Sequence, residues 1–175
     1  MKNSSFTVLL AALFAAGFGI DLCAQGEPPS EPSPVMDSSR PPLSEPLHQK
    51  YTADAWTAFE KAQYAAAITN ADRCVARFGE AANRSQAALD SAKVTLPTGV
   101  VTEAERKCIA QYGILHDVAT CLLIRGWAEE KLGHTTEARK AYKEVRKLTH
   151  ARSSRPKGDS FWSPSDNAAG HLSGQ

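Results

Sequence analysis

Residues 117–152, DVATCLLIRGWAEEKLGHTTEARKAYKEVRKLTHAR, constrain the fold most, because two amphipathic helical patterns flank Gly133 and His134. In the first pattern, apolar residues recur at spacings that place them on one side of a helix. They are Leu122, Leu123, Ala128 and Leu132. Gly133 favours a left-handed helix end, and Thr135 or Thr136 can cap a second helix. The apolar face of that helix comprises Ala138, Ala141, Tyr142, Val145 and Leu148. The stretch therefore predicts two antiparallel helices packed on each other.

A similar pattern occurs upstream in the stretch AWTAFEKAQYAAAITNADRCV, where a turn is predicted at Ala62 and Gln63. Its apolar face comprises Ala55, Trp56, Phe59, Tyr64, Ala67, Ile68, Ala71 and Cys74. Ala67 corresponds to Ala138, which lies 71 positions later (138 − 67), close to two units of about 34 residues. This spacing leaves room for one more hairpin between the two. Two unrelated helix pairs of an ordinary bundle are the alternative interpretation.

Gly126, Ala138 and Tyr142 stand at offsets that resemble the tetratricopeptide repeat, in which Gly, Ala and an aromatic residue recur in a unit of about 34 residues. The stretch LHDVATCLLIRGWA, together with Phe161 and Trp162, resembles a group of small secreted bacterial tetratricopeptide-repeat proteins. The resemblance implies an all-α fold in which about three helical hairpins form a short right-handed α-solenoid. It implies a periplasmic helical protein and no particular activity.

The first 24 residues have the features of a secretory signal peptide, with Lys2 near the start, an apolar run over residues 6–20 and a small-residue pattern ending at Ala24. The run is shorter than the roughly 20 apolar residues that a membrane-spanning helix needs. Leu22 departs from the usual lipoprotein pattern, and lipid attachment to Cys23 stays open. The expected location is the periplasm or the exterior of a bacterium, with no transmembrane span after cleavage.

Composition divides the remainder of the chain. Residues 25–47 are rich in Pro, Ser and Glu and have little to bury, so they predict a disordered tether. Residues 48–169 have the size of one helical domain. Residues 170–175 are expected to form a short tail.

Local signals place helix ends within the predicted domain. Thr52 is the expected N-cap of the first helix, and Gly79 is the expected end of the second. The Ala-rich residues 80–94 predict a third helix. Thr102 and Glu105 form a Thr-x-x-Glu capping box that predicts the start of a further helix. These last two helices are candidates for the middle hairpin.

Phe161 and Trp162 are large apolar residues that are costly to expose. We expect them to cover the open face of the last hairpin, as terminal caps do in repeat proteins. A ligand-binding aromatic pair is the alternative interpretation.

Removal of the signal peptide would leave Cys74, Cys108 and Cys121. In an oxidising compartment one pair can form a disulfide, although the sequence does not choose the pair. Cys74 and Cys121 lie on the inward faces of their hairpins, where burial as small apolar residues is expected. Cys108, His116 and Cys121 predict no metal site, because helix positions five apart diverge by about 140°.

The sequence contains no GxSxG, HExxH, Walker or dinucleotide-binding motif. We therefore expect a non-catalytic adaptor or scaffold that needs no cofactor, with a small hydrolase as the least favoured alternative. Tetratricopeptide modules present a concave surface lined by the first helix of each hairpin. The resemblance thus implies these partner-binding residues: Asp54, Trp56, Glu60, Arg125, Glu129 and Glu130. The expected partner is a protein of the cell envelope, and self-association is a further prediction because so few repeats are marginally stable.

Basic residues concentrate in the last predicted helix. Arg139, Lys143, Arg146 and Lys147 recur at spacings of three and four, which places them on one face. The second hypothesis is therefore a protein that binds an anionic polysaccharide or another part of the cell envelope through this basic face. A solvated outer face explains the same pattern, and nucleic acid is not an expected partner of an exported chain.

Overall fold

The computed structural model describes residues 46–154 and 160–173. The predicted signal peptide, Cys23 and nearly all of the predicted tether lie outside these residues. The described part of the chain is mostly helical, as predicted, and its helices are α1 (Leu47–Glu60), α2 (Tyr64–Ala92), α3 (Glu103–Ala110), α4 (Gly113–Lys131), α5 (Thr135–Val145) and α6 (Pro164–Ser173). None of the helices in the described ranges combines the length and apolarity that crossing a membrane requires.

Three short strands, which the all-α prediction did not include, join distant loops. They are β1 (Gly99–Val100), β2 (Ser153–Ser154) and β3 (Ser160–Trp162). They form an antiparallel sheet in the order β1-β3-β2, with Gly99 opposite Phe161 and Ser153 opposite Trp162. The sheet thus connects the segment after α2 to the segment between α5 and α6.

The core lies where α2 packs on α4, which is the most extensive contact between two elements of the described chain. The α2 side consists mainly of small residues, and Ala67, Ala71 and Cys74 are fully buried. Larger side chains come from α4, where Leu123 and Ile124 are fully buried. Small residues on one helix let the larger residues of the other approach its backbone at high packing density. The α1 helix packs on both α2 and α4 and completes a three-helix core.

The hairpins α1–α2 and α4–α5 share the same turn. Ala62 (φ 57°) and Gly133 (φ 80°) both have left-handed backbone conformations. The next residues, Gln63 (φ −86°, ψ 63°) and His134 (φ −84°, ψ 63°), are nearly identical in backbone. In both turns the amide of that next residue donates to the carbonyl five positions earlier at 2.9 Å. The turns lie 71 positions apart (133 − 62), so the repeat in sequence is also a repeat in backbone geometry.

The second hairpin closes tightly around a glycine. A Cβ added to Gly126 would lie 2.3 Å from Cε1 of Tyr142, and the ring of Tyr142 is fully buried. A larger residue at position 126 would therefore force the ring away. The equivalent positions of the first hairpin, 71 residues earlier, hold Ala55 and Ala71, which are both fully buried.

The predicted helix break at Gly79 is wrong. The α2 helix runs through Gly79 without interruption, so residues 80–94 do not form a separate third helix. A glycine inside a helix costs only about 1 kcal/mol relative to alanine. The residues beyond it continue to bury one face of the helix, including Ala82 and Leu89, and this burial outweighs the cost.

Capping predictions had mixed outcomes. The capping box is confirmed, because the Glu105 amide donates to the Thr102 hydroxyl at 3.3 Å and the Thr102 amide donates to the Glu105 carboxylate at 2.7 Å. Thr52 is not a cap, since it lies inside α1 and its hydroxyl donates to the carbonyl four residues earlier at 3.0 Å. The predicted cap by Thr135 or Thr136 is also wrong, because α5 begins at Thr135 without a side-chain cap.

The described residues contain two hairpins, so the prediction of about three is wrong for this part of the chain. The second half of α2, β1 and the short α3 occupy the sequence that was expected to form the middle hairpin. Leu132 was expected on the inward face but is 42% exposed, because it lies at the turn after α4.

The α6 helix covers the last hairpin, a place predicted for Phe161 and Trp162, which instead lie in β3. His171 of α6 stacks on Tyr142 with ring centroids 4.8 Å apart. Its Nε2 accepts a hydrogen bond from the Trp127 indole at 3.1 Å. Since α6 runs to Ser173, it also occupies most of the segment predicted as a tail.

Substitution of Gly126 by Ala should lower the free energy of unfolding by about 2 kcal/mol, because the clash with the buried Tyr142 ring exceeds the gain in helix propensity. Gly79→Ala is the matched control. Its Cβ would meet no atom closer than 3.8 Å, so this variant should gain about 0.5–1 kcal/mol. Urea unfolding measures both. Equal stability of the two variants would contradict the close packing of the second hairpin.

Because the two turns share a left-handed backbone, substitutions at Gly133 and Ala62 should change the free energy of unfolding in opposite directions. Gly133→Ala should lower the free energy of unfolding by about 1 kcal/mol, because alanine is strained in the left-handed region. Ala62→Gly removes the same strain and should raise it by about 0.5 kcal/mol after the entropy cost of glycine. Thermal unfolding of both variants tests this, and effects of the same sign would show that the two turns differ.

Candidate functional site

A groove of about 810 Å³ lies between α1, α3, α4 and the strands β2 and β3. One wall is α1, with Thr52, Ala53 and Trp56, and the facing wall is the first half of α4. The α3 helix and the strands β2 and β3 complete the lining. The volume falls within the roughly 300–1,000 Å³ of typical ligand pockets. The two long walls are therefore the first helices of the two hairpins.

Three aromatic side chains lie along the groove, namely Trp56 from α1 and Phe161 and Trp162 from β3. Trp56 is 37% exposed, and its indole N–H donates to the Glu60 carboxylate at 2.7 Å. Its ring also packs edge-on against Trp127, with centroids 5.8 Å apart. Because these contacts hold the Trp56 ring while part of it stays exposed, the ring offers a fixed apolar surface to a ligand.

His116 connects three segments below the groove. Its Nδ1 accepts a hydrogen bond from the Arg152 amide at 3.0 Å, which leaves Nε2 to donate to the Ile109 carbonyl at 2.8 Å. Burial, with a smaller contribution from the Arg152 charge, lowers the pKa of the His116 imidazole to about 4, although the hydrogen bond to Ile109 acts to raise it. The imidazole is therefore neutral at pH 7. It holds the end of α3 and the start of β2 against α4.

Arg152 performs a similar role from inside the protein. Its guanidinium donates to the Leu96 and Pro97 carbonyls after α2 and to the Thr149 and Ala151 carbonyls after α5. Only 6% of the residue is exposed, and burial lowers the pKa of its guanidinium. Carbonyl dipoles compensate the buried charge. Arg152 therefore joins the two loops that carry β1 and β2 and adds positive charge to the groove lining.

Two further polar contacts hold the groove walls. The Asp117 carboxylate of α4 lies 2.5 Å from Nδ1 of His48 at the start of α1. The Thr120 hydroxyl of α4 lies 2.5 Å from the Ser153 hydroxyl of β2. Both contacts cross between elements that form different walls, so they set the width of the groove.

The residues predicted for partner binding are distributed over several contacts. Among those six, Trp56 lines the groove. The other five interact within the chain: Asp54 with Lys50 (3.0 Å), Glu60 with Trp56 (2.7 Å), Arg125 with Asp72 (3.1 Å), Glu129 with His134 (2.8 Å) and Glu130 with His171 (3.2 Å). The groove instead includes Thr52, His116, Asp117, Thr120 and Arg152, whose long-range contacts leave no periodic pattern in the sequence.

The predicted basic face, Arg139, Lys143, Arg146 and Lys147, lies on and just after α5, away from the groove lining. Lys147 pairs with Glu144 at 2.6 Å, and Arg146 donates to the Ser165 carbonyl at 3.4 Å. Part of the positive charge on this face is therefore compensated within the chain. Over the described residues, no group of three or more His, Cys, Asp or Glu side chains converges to hold a metal ion.

Comparisons with known proteins provide no template for this site. No protein-family model, curated protein or solved structure matches the chain. The functional interpretation therefore depends on the geometry of the groove itself.

Acidification should destabilise the protein through His116. The imidazole pKa is about 6.5 in the unfolded chain and about 4 in the folded protein, so the unfolded state binds the proton first. The free energy of unfolding should fall by roughly 3 kcal/mol as the pH falls from 6.5 to 4, and this loss should be absent above pH 6.5. Urea unfolding of the native protein and of His116→Gln across this range isolates the effect. Parallel pH profiles would contradict a buried neutral imidazole.

Proposed function

We propose that the chain is an exported tetratricopeptide-like interaction module that binds an extended segment of a partner protein in the groove. The observation that carries this proposal is that α1 and α4, the first helices of the two hairpins, form the long walls of the groove. In a tetratricopeptide module these helices line the concave binding surface. The groove therefore lies where that resemblance places a binding site.

The tetratricopeptide-like assignment is supported by the repeated turn. Ala62 and Gly133 share a left-handed backbone, and the residues that precede the two following helices, Gln63 and His134, have nearly identical dihedral angles. The packing of α4 on both α1 and α2 is also what stacked hairpins require. With α6 covering the second hairpin, two hairpins and a terminal helix form a short right-handed solenoid in this proposal.

A peptide is favoured as the ligand by the mixture of groups in the groove. Trp56, Phe161 and Trp162 offer apolar surfaces for side chains. The hydroxyl group of the exposed Thr57 on the α1 wall can exchange hydrogen bonds with peptide groups. Rigid aromatic anchors surrounded by polar groups are typical of interaction hot spots.

The alternative hypothesis, binding of an anionic polysaccharide through the basic face, has less support. Lys147 of this face pairs with Glu144 at 2.6 Å, and the neighbouring Lys140 pairs with Glu137 at 2.8 Å. These pairs reduce the net charge that a polyanion would meet. Binding through this face should weaken steeply with salt, whereas binding through aromatic anchors should not.

The proposal predicts that a bulky residue at Ala53 blocks binding. Ala53 is exposed on α1 and lines the groove, so Ala53→Arg fills the groove without disturbing the core. Peptides selected from a random phage-displayed library on the native protein should lose at least about tenfold in affinity for this variant. Isothermal titration calorimetry measures the change.

Ala76→Arg is the matched control, because Ala76 is equally exposed on a helix but lies outside the groove lining. Its affinity for the selected peptides should equal that of the native protein. Selected peptides that bind Ala53→Arg as tightly as the native protein, or a library without enriched peptides, would contradict the proposal.

A further inference from the structure

Two thiols and a hydroxyl meet where α1, α2 and α4 pack together. Cys74 of α2 and Cys121 of α4 are free cysteines, and both are fully buried. The Thr52 hydroxyl of α1 lies 3.3 Å from Sγ of Cys121. The two thiols also form a hydrogen bond with each other, which lowers the pKa of Cys74 and raises that of Cys121. The contact between the two most closely packed helices therefore contains a pair of adjacent cysteines.

Cys108, the third cysteine in the described range, is bonded to neither of them, because Cys74 and Cys121 are both free. Cys74 and Cys121 are thus both available to bond with each other. A disulfide bond in the fold is also what an oxidising compartment permits. In such a compartment, a disulfide oxidant can convert two adjacent thiols to a disulfide.

We propose that Cys74 and Cys121 form an intramolecular disulfide that joins α2 to α4 when the chain meets a disulfide oxidant, such as the disulfide of a thiol oxidoreductase. The Cys74 thiolate attacks the oxidant disulfide, forms a mixed disulfide and releases one thiolate of the oxidant. Cys121 then loses its proton and attacks Sγ of Cys74, which releases the second thiolate. Two thiols are oxidised, and the two electrons and two protons reduce the oxidant to its dithiol form.

Burial determines when this reaction occurs. Both sulfurs are inaccessible in the folded protein, so the oxidant reaches them only during folding or when α2 and α4 separate. Once formed, the disulfide closes a 47-residue loop (121 − 74) across the central contact of the core. Such a cross-link stabilises chiefly by restricting the unfolded chain. This modification is independent of the proposed partner and of the groove.

Peptide mapping of the full chain tests the proposal. The protein is expressed with export, denatured in iodoacetamide without reductant, and digested with trypsin and chymotrypsin. Chymotrypsin is needed because one tryptic peptide, residues 108–125, contains both Cys108 and Cys121, and cleavage after Tyr112 separates them. The expected product is a Cys74–Cys121 cross-linked peptide that disappears on reduction. Alkylation of both thiols without reductant, or pairing of either with another cysteine, would overturn the proposal.

Thermal unfolding gives a second readout. Reduction should lower the unfolding midpoint of the native protein by on the order of 10 °C more than that of a Cys74→Ala/Cys121→Ala variant. The variant keeps Cys108, so it controls for every effect of the reductant other than reduction of a Cys74–Cys121 bond. Alanine is small and apolar and fits the buried positions, so the variant should fold. An equal loss in both proteins would count against the cross-link.

Discussion

The packing of α2 on α4 is the contact on which the rest of the structure depends. Small residues of α2, such as Ala67 and Ala71, allow the larger side chains of α4 to reach its backbone. Each of these helices is also one half of a hairpin, so the same contact brings the two hairpins together. The α1 helix then lies beside α4, and their outer sides become the walls of a groove. The proposed binding site is thus a consequence of how the core is packed.

Buried polar groups hold the loops that complete the groove between the helices. His116 and Arg152 hydrogen-bond to backbone groups of α3 and of the loops after α2 and α5. These bonds hold β2, and through its pairing β3 with Phe161 and Trp162, at the groove. Leaving either partner unsatisfied in the interior is costly. The loops are therefore held by the same kind of interaction that makes the site sensitive to acid.

The features readable from the sequence are local ones. Gly133 and the helical spacing of the apolar residues on either side of it correctly predicted the second hairpin. The Thr102 capping box correctly predicted the start of α3. Gly79 was misjudged because a single helix glycine is a weak signal against an Ala-rich, half-buried stretch. The short strands and the contacts of Arg152, which span 55 and 56 positions to Pro97 and Leu96, leave no periodic pattern. Most of the groove lining depends on such long-range contacts, so the sequence predicted only Trp56 and, as an alternative interpretation, the aromatic pair Phe161 and Trp162.

The central claim is that equivalent positions of the two hairpins meet side by side. Trp56 and Trp127 lie 71 positions apart (127 − 56), and their rings are in edge-on contact at 5.8 Å. The most direct measurement is a solution NOESY experiment on the indole protons of these two tryptophans. Cross-peaks between Trp56 and Trp127, and between Phe59 and Trp127, are the predicted result. Folded helices without such cross-peaks would contradict the stacking of the hairpins and the groove that it creates.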